Sequence, residues 1–300
     1  MNMSCYLTCP AYPLCDAQML AHAQACANDL SQALAWQLTY SPLCDVYRAP
    51  GQWLPAAQRI SDLDAARNHD LLWSLRGGYG CVELLDVFQA WGDSGPALIG
   101  FSDLTVVHAM RWRQQARPGI YGLMPAVRHG ERARSSLIIA ASGRPWQATA
   151  GELPGTGLHP GRAEGRLFAA CLRVLAGLCG TQAQPDLDGC ILAIEDIDEA
   201  PYCLDRDLQQ LYRAGVLAGV VGLLAGRFPC AGSAEHRGPH AVDILQAWGE
   251  RLRLPVLAEV PFGHDPDPLA LPMGRQTVMR VDGPHDWHVA WAAGPVVGKE

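Results

Sequence analysis

Up to about residue 130, apolar runs of strand length alternate with longer segments of helical periodicity, which confines the chain to an α/β architecture of parallel strands joined by helices. The pattern predicts a strand at Tyr6–Pro10, a helix over Asp16–Trp36, a strand near Gln37–Tyr40 and a helix through Leu54–Arg67. Two strand–loop–helix units follow, one running from Asp70–Trp73 into Val82–Trp91 and the other starting at Ala97. In a parallel, doubly wound sheet the loops at the carboxyl ends of neighbouring strands meet in one crevice. Those two loops are therefore where chemistry is expected first.

The second loop lies in Ala97–Thr105, Ala-Leu-Ile-Gly-Phe-Ser-Asp-Leu-Thr. A sharp strand-to-helix turn at Gly-x-Ser lifts the Ser102 hydroxyl clear of the sheet edge, toward helix N–H groups that favour developing negative charge. Gly100 leaves room for the turn, and Asp103 and Thr105 suit a first helical turn. The same residues also fit a serine that merely caps a helix. The first loop reads Arg76-Gly77-Gly78-Tyr79-Gly80. It has neither Gly-x-x-x-x-Gly-Lys-Ser/Thr nor Gly-x-Gly-x-x-Gly, which leaves an oxyanion-binding loop or a tight turn without a ligand.

A chain of 300 residues, 49% hydrophobic and 18% charged, can bury a full core and is expected to form two domains. Its 23 basic and 30 acidic side chains leave a net charge of −7, which argues against a nucleic-acid or membrane-surface partner. No apolar run reaches the roughly 18 residues of a transmembrane helix. Met1-Asn2-Met3-Ser4-Cys5 lacks the basic and apolar regions of a secretory signal, so the expected compartment is the cytoplasm. The 11 cysteines are expected reduced there, and because no Cys-x-x-Cys pair occurs, no structural zinc site is expected; no other metal or cofactor is expected either. His236 and His240, and His285 and His288, are metal-capable pairs read instead as ordinary polar residues of a loop and a strand.

Residues 1–143 are expected to form the first domain, 144–165 a Gly- and Pro-rich linker or crossing, and 166–300 the second domain. Later strands are predicted near Ser135–Ala141, Cys190–Ile194 and Val220–Arg227, and helices around Leu167–Leu178, Leu204–Ala214 and Ala241–Arg251. The final strands, Gln276–Val281 and Trp287–Trp291, read as antiparallel, and no internal repeat is visible. A serine nucleophile needs a base, and the base an orienting acceptor. Glu195 ends the apolar strand Ile191–Ile194, where a charge needs a partner. His264 follows Val260-Pro261-Phe262-Gly263 in a loop suited to holding a side chain toward a cleft. The alternative for Glu195 is a solvated acidic turn shared with Asp196, Asp198 and Glu199.

Arg-Gly-Gly-Tyr-Gly at 76–80, Gly-Phe-Ser-Asp-Leu-Thr at 100–105, Ile-Glu-Asp-Ile at 194–197, Pro-Tyr-x-Leu-Asp-Arg at 201–206, Phe-Gly-His at 262–264 and Leu-Pro-Met-Gly at 271–274 occur in register. In these blocks the chain resembles the LD-carboxypeptidase family of serine peptidases, which includes the muramoyltetrapeptide carboxypeptidases. The resemblance implies an N-terminal Rossmann-like domain with a parallel sheet, a smaller C-terminal α/β domain with antiparallel strands, and a homodimer. It also implies a Ser102–His264–Glu195 triad between the domains. Backbone N–H groups of Asp103 and of Gly77 or Gly78 would hold the oxyanion, with Arg76 or Arg206 as partners for a substrate carboxylate, unless each is tied up in a salt bridge. The implied substrate is a cytoplasmic muropeptide, a murein tetrapeptide that loses its terminal D-alanine during peptidoglycan recycling. Two departures bear on the pocket: Ala169-Ala170-Cys171-Leu172 replaces a Gly-Gly-Asn-Leu-like stretch, and Tyr121-Gly122-Leu123 replaces His-Gly-Pro. Two other readings stay open. One is a microcin-immunity-like peptidase acting on peptidyl or aminoacyl nucleotides, for which the sequence shows no clear base-stacking aromatic loop. The other is a ligand-binding relative without turnover.

Overall fold

The first strand, β1 (Met3–Thr8), is buried at every position but Ser4, as a parallel strand covered on both faces must be. The computed structural model to which it belongs describes residues 3–230, 237–295 and 297. Helix α1 (Ala17–Leu34) starts where the Asp16 side chain accepts the Met19 N–H at 2.8 Å and stops at Ala35 in the left-handed conformation. Its buried residues Leu20, Ala23, Ala27, Leu30 and Ser31 recur at helical spacing and form the stripe that covers the sheet.

The chain continues through β2 (Trp36–Tyr40), α2 (Ala56–Ala66), β3 (Leu71–Ser74), α3 (Leu85–Trp91), β4 (Ala97–Ile99), α4 (Thr105–Arg113), β5 (Ile120–Tyr121) and α5 (Glu131–Ala141). It then forms β6 (Trp146–Thr149), β7 (Thr156–His159), β8 (Gly161–Cys171), α6 (Leu172–Gly177), β9 (Cys190–Glu195), α7 (Pro201–Arg213), β10 (Gly222–Ala225) and α8 (Ala241–Leu252). The last elements are β11 (Val256–Ala258), β12 (Leu271–Pro272), β13 (Gln276–Gly283) and β14 (Asp286–Trp291). Two sheets result. The first has the order β12-β5-β4-β3-β1-β2 and is parallel except at β12. The second, ordered β6-β14-β13-β8-β9-β10-β11-β7, has four central parallel strands flanked by antiparallel ones, and β13 and β14 pair antiparallel as expected.

Three segments differ from the expectation. Ser135–Ala141, read as a strand, lies in α5: the buried Ala133, Ser136, Leu137, Ala140 and Ala141 follow helical spacing, and the β-branched Ile138 and Ile139 stand at its half-buried side. Of Leu167–Leu178, read as one helix, residues 167–171 are the fully buried end of β8, and only Leu172–Gly177 is helical. Burial on both faces removes the periodicity that separates strand from helix. The stretch 144–165, read as a linker, carries β6, β7 and the start of β8, which alternates exposed and buried residues from Arg162 to Leu167. Half-exposed strands of this kind accept the polar residues that suggested a loop.

Helix α4, which follows Ser102, packs against the second sheet. The Trp112 ring meets Phe168 of β8 edge to face at 5.1 Å, its N–H donates to the Asp186 carbonyl, and Arg166 lies over it at 4.5 Å. Phe168 is fully buried in this seam. Phe168→Ala is therefore expected to lower unfolding free energy by about 3–5 kcal/mol in a denaturant titration, and a loss under about 1 kcal/mol contradicts the seam's role.

Candidate active site

The turn after β4 is strained at Ser102, whose φ of 66° is in the left-handed region. A non-glycine residue there costs about 1–3 kcal/mol and persists only when its surroundings over-determine it. Those surroundings are visible. The Gly100 N–H donates to the Ile120 carbonyl at 3.1 Å, the Gly100 carbonyl lies 2.9 Å from Nε2 of buried His108, and the Ser102 N–H donates to the Tyr121 hydroxyl at 3.3 Å. Ser102–Leu104 forms a single 3-10 turn, and α4 begins at Thr105. Asp103 is buried and accepts the Cys81 N–H at 2.8 Å, which ties the turn to the end of the glycine loop. Burial raises its pKa, while the Cys81 hydrogen bond and the Arg59 charge pull it back.

The glycine loop abuts this turn. A Cβ on Gly77 would sit 2.8 Å from Ser102 Cβ and 3.0 Å from its Oγ, so only glycine permits the approach. Among the described residues the N–H groups of Gly77 and Gly78 have no protein acceptor. Arg76 reaches the Pro13 carbonyl, Cys15 Sγ and Met19 Sδ and lies over the Tyr12 ring, with no carboxylate partner among the described residues. Arg206, the other expected carboxylate partner, sits on α7 against Cys203 and the Tyr202 ring and does not line the site cavity.

Glu195 ends β9 with no solvent exposure. Its Oε1 accepts the Tyr121 hydroxyl at 2.6 Å, and its Oε2 accepts the His264 N–H at 3.0 Å and pairs with His264 Nδ1 at 2.7 Å. With the carboxylate as acceptor, Nδ1 carries the proton and Nε2 is left with its lone pair. Gly263 has a φ of 68°, and a Cβ there would fall 2.1 Å from the Glu195 carboxyl carbon. The His264 ring stands edge-on to Phe101 at 5.1 Å, next to the nucleophile candidate. The acidic turn divides: Glu195 and Asp196 are buried, whereas Ile197 and Asp198 are exposed. Asp196 accepts the Arg173 and Ile197 N–H groups, and burial pushes its carboxyl up to about 6.

Ser102, Gly77, Gly78 and His264 line one open cavity of about 410 Å³, together with Arg76, Arg128 and His129. Glu195 lies behind His264. A depression of about 580 Å³ near Arg113, Thr181 and Asp188 is larger, but none of Ser102, Glu195 and His264 lines it. The cavity thus offers a hydroxyl at a strained turn, an imidazole oriented by a buried carboxylate, amide donors beside the hydroxyl, and a cationic wall. Such a set can activate the hydroxyl for attack on a carbonyl. Among the described residues no cluster of three or more His, Cys, Asp or Glu side chains is placed to hold a metal. His236 lies outside the described residues; His240 caps α8, His285 is in the β13–β14 turn and His288 is on β14. None of the 11 cysteines is in a disulfide, and among the described residues no helix is long and apolar enough to cross a membrane.

Sequence reasoning missed two features. Tyr121 stands out in the sequence only as a departure from a motif, and its sole local signal is an aromatic with a polar tip in a buried strand. Exposed Tyr79 of the glycine loop and exposed Trp53 form an aromatic group with Tyr12, with Trp53 and Tyr79 centroids 5.0 Å apart. Nothing local in the sequence joins residues 12, 53 and 79.

Residues 7–122 match the LD-carboxypeptidase N-terminal domain, and residues 164–279 match the LD-carboxypeptidase C-terminal domain. The chain belongs to the LD-carboxypeptidase family. It is 30% identical over 240 residues to the murein tetrapeptide carboxypeptidase of Pseudomonas aeruginosa, an alignment covering 74% of this chain and 77% of that one. Its fold is similar to that of a muramoyltetrapeptide carboxypeptidase from Oxalobacter formigenes, with a TM-score of 0.79 and 22% identity over 97% of this chain and 99% of that one. It is also similar to an MccF-like protein from Bacillus anthracis, with a TM-score of 0.83 and 16% identity over 98% and 97%.

Burial opposes a charge on His264, but the hydrogen bond and charge of Glu195, with Asp196 and Asp198, outweigh it and raise its pKa above 6.5. Glu195→Gln removes the charge and leaves the burial, so the imidazole is expected to titrate above 6.5 in the parent and below it in the variant, read by NMR. An unchanged midpoint contradicts the pairing.

Proposed function

We propose that the chain is a serine carboxypeptidase that removes the terminal D-alanine from murein tetrapeptides. The observation that carries this reading is that His264, hydrogen-bonded to the buried Glu195 behind it, lines the same cavity as Ser102 and Gly77. His264 Nε2 takes the Ser102 proton as Oγ attacks the carbonyl of the L,D bond, and the imidazolium then protonates the leaving amine of D-alanine. The N–H groups of Asp103 and of Gly77 or Gly78 hold the oxyanion, where losing one donor typically costs about 10²–10³ in turnover. Water, deprotonated by His264, releases the shortened peptide from Ser102. Glu195 fixes the tautomer and stabilises the imidazolium.

The free carboxylate of the substrate needs a cationic partner. Arg76, which meets no carboxylate among the described residues, and Arg128 on the cavity wall are the candidates. In this reading the substrate is a cytoplasmic muropeptide in peptidoglycan recycling and the active unit is a homodimer, as the sequence resemblance implies. The exposed Trp53 and Tyr79 beside the glycine loop favour a second reading, in which a nucleobase stacks on them and a peptidyl or aminoacyl nucleotide is cleaved.

Tetrapeptides ending in D-alanine, their L-alanine epimers and an aminoacyl adenylate analogue, each incubated with the protein and followed by mass spectrometry, separate the two readings. A misplacement of about 1 Å costs on the order of 10²-fold in rate, so the D-epimer is expected to be shortened at least that much faster than the L-epimer. Ser102→Ala is expected to abolish the product. Comparable rates for both epimers, or cleavage of the nucleotide analogue alone, contradict the proposal.

A further inference from the structure

Tyr121 is fully buried on the two-residue strand β5, and its hydroxyl touches both ends of the site. It donates to Glu195 Oε1 at 2.6 Å and accepts the Ser102 N–H at 3.3 Å. The ring is fixed by Phe101 at 6.0 Å, His108 at 5.9 Å and Phe262 at 6.5 Å, so the hydroxyl position is set by packing. Leu271 of β12 faces Tyr121 in register, just beyond the loop that carries His264.

We propose that Tyr121 is a positioning residue that sets the basicity of His264 through Glu195 and holds the left-handed turn at Ser102. The inference rests on the Ser102–His264–Glu195 reading for its catalytic consequence. The physical argument has two parts. The phenol occupies Oε1, so Oε2 alone serves His264, and electron density drawn toward the phenol makes the carboxylate a weaker partner for the imidazolium. While its proton goes to Glu195, the hydroxyl oxygen accepts the Ser102 N–H through a lone pair, which leaves the oxyanion to Asp103 and the glycine loop. Burial and the neighbouring Glu195 charge keep the phenol protonated, so it stays a donor across the working pH range.

Other charges act on His264 or line the same cavity. Asp196 and Asp198 follow β9, Arg76 comes from the glycine loop, Arg128 and His129 from the segment after β5, and Asp265, paired with Arg227, from its own loop. A change at Tyr121 leaves all of them in place, so a shift in His264 reports the phenol–carboxylate bond.

Two variants test this with opposite signs. Tyr121→Phe removes the donor, and 3,5-difluorotyrosine at the same position keeps the ring and strengthens the donor, with circular dichroism confirming that each is folded. His264 is titrated by NMR in both, which needs no turnover. The expected result is a higher His264 pKa in Tyr121→Phe, by up to about one unit for a hydrogen bond to a charged group, and a lower one in the fluorinated protein. The acid limb of kcat/KM on the D-alanine tetrapeptide should move with it, with kcat about tenfold lower in Tyr121→Phe and KM little changed. A His264 pKa unmoved in both variants overturns the inference. Opposite shifts in a protein that cleaves no tetrapeptide support the role of Tyr121 and overturn the proposed function instead.

Discussion

A carboxylate with no solvent exposure is the constraint on which the site depends. Glu195 at the end of β9 sits where an unpaired charge would cost several kcal/mol, and three donors offset that cost: the Tyr121 hydroxyl and two N–H groups of His264. Those donors come from distant parts of the chain. Glu195 belongs to the second sheet and Tyr121 to the first, so the carboxylate is also a junction between the sheets.

The topology makes that junction hard to avoid. The segment carrying His264 leaves the second sheet at β11 and enters the first at β12, antiparallel to the strand that holds Tyr121. Anchored at both ends, it passes close over the end of β9. The absence of a side chain at Gly263 lets its backbone approach the Glu195 carboxyl. On the other side, strain at Ser102 is held by hydrogen bonds to Gly100 and from the Ser102 amide, and Asp103 links the turn to the glycine loop. The geometry of the candidate site is thus held by buried polar contacts, which favours preorganisation.

Much of this was legible in the sequence because the informative residues stand at strand ends. The alternation before residue 130 gave the parallel sheet, and apolar runs ending in Gly-Phe-Ser and in Ile-Glu marked two positions that the fold brings toward one cavity. Where the sequence misled, burial on both faces or exposure on one blurred the period. The end of β8 has the apolar run of a helix, α5 carries the β-branched Ile138 and Ile139 of a strand, and the half-exposed strands between 144 and 165 have the polar composition of a linker. Tyr121 and the Tyr12–Trp53–Tyr79 group were illegible for a different reason. Their significance comes from partners many residues away, and no local pattern encodes a contact between residues 121 and 195 or between 53 and 79.

The central claim is that Ser102 is made nucleophilic by a histidine that Glu195 orients. The most direct measurement is labelling with a fluorophosphonate, an electrophile that phosphonylates an activated serine far faster than an ordinary one, followed by peptide mapping, in the parent protein and in His264→Ala. The account predicts a single adduct on Ser102 that falls by orders of magnitude in the variant. An adduct on another residue, or Ser102 labelling that is unchanged without His264, would contradict it.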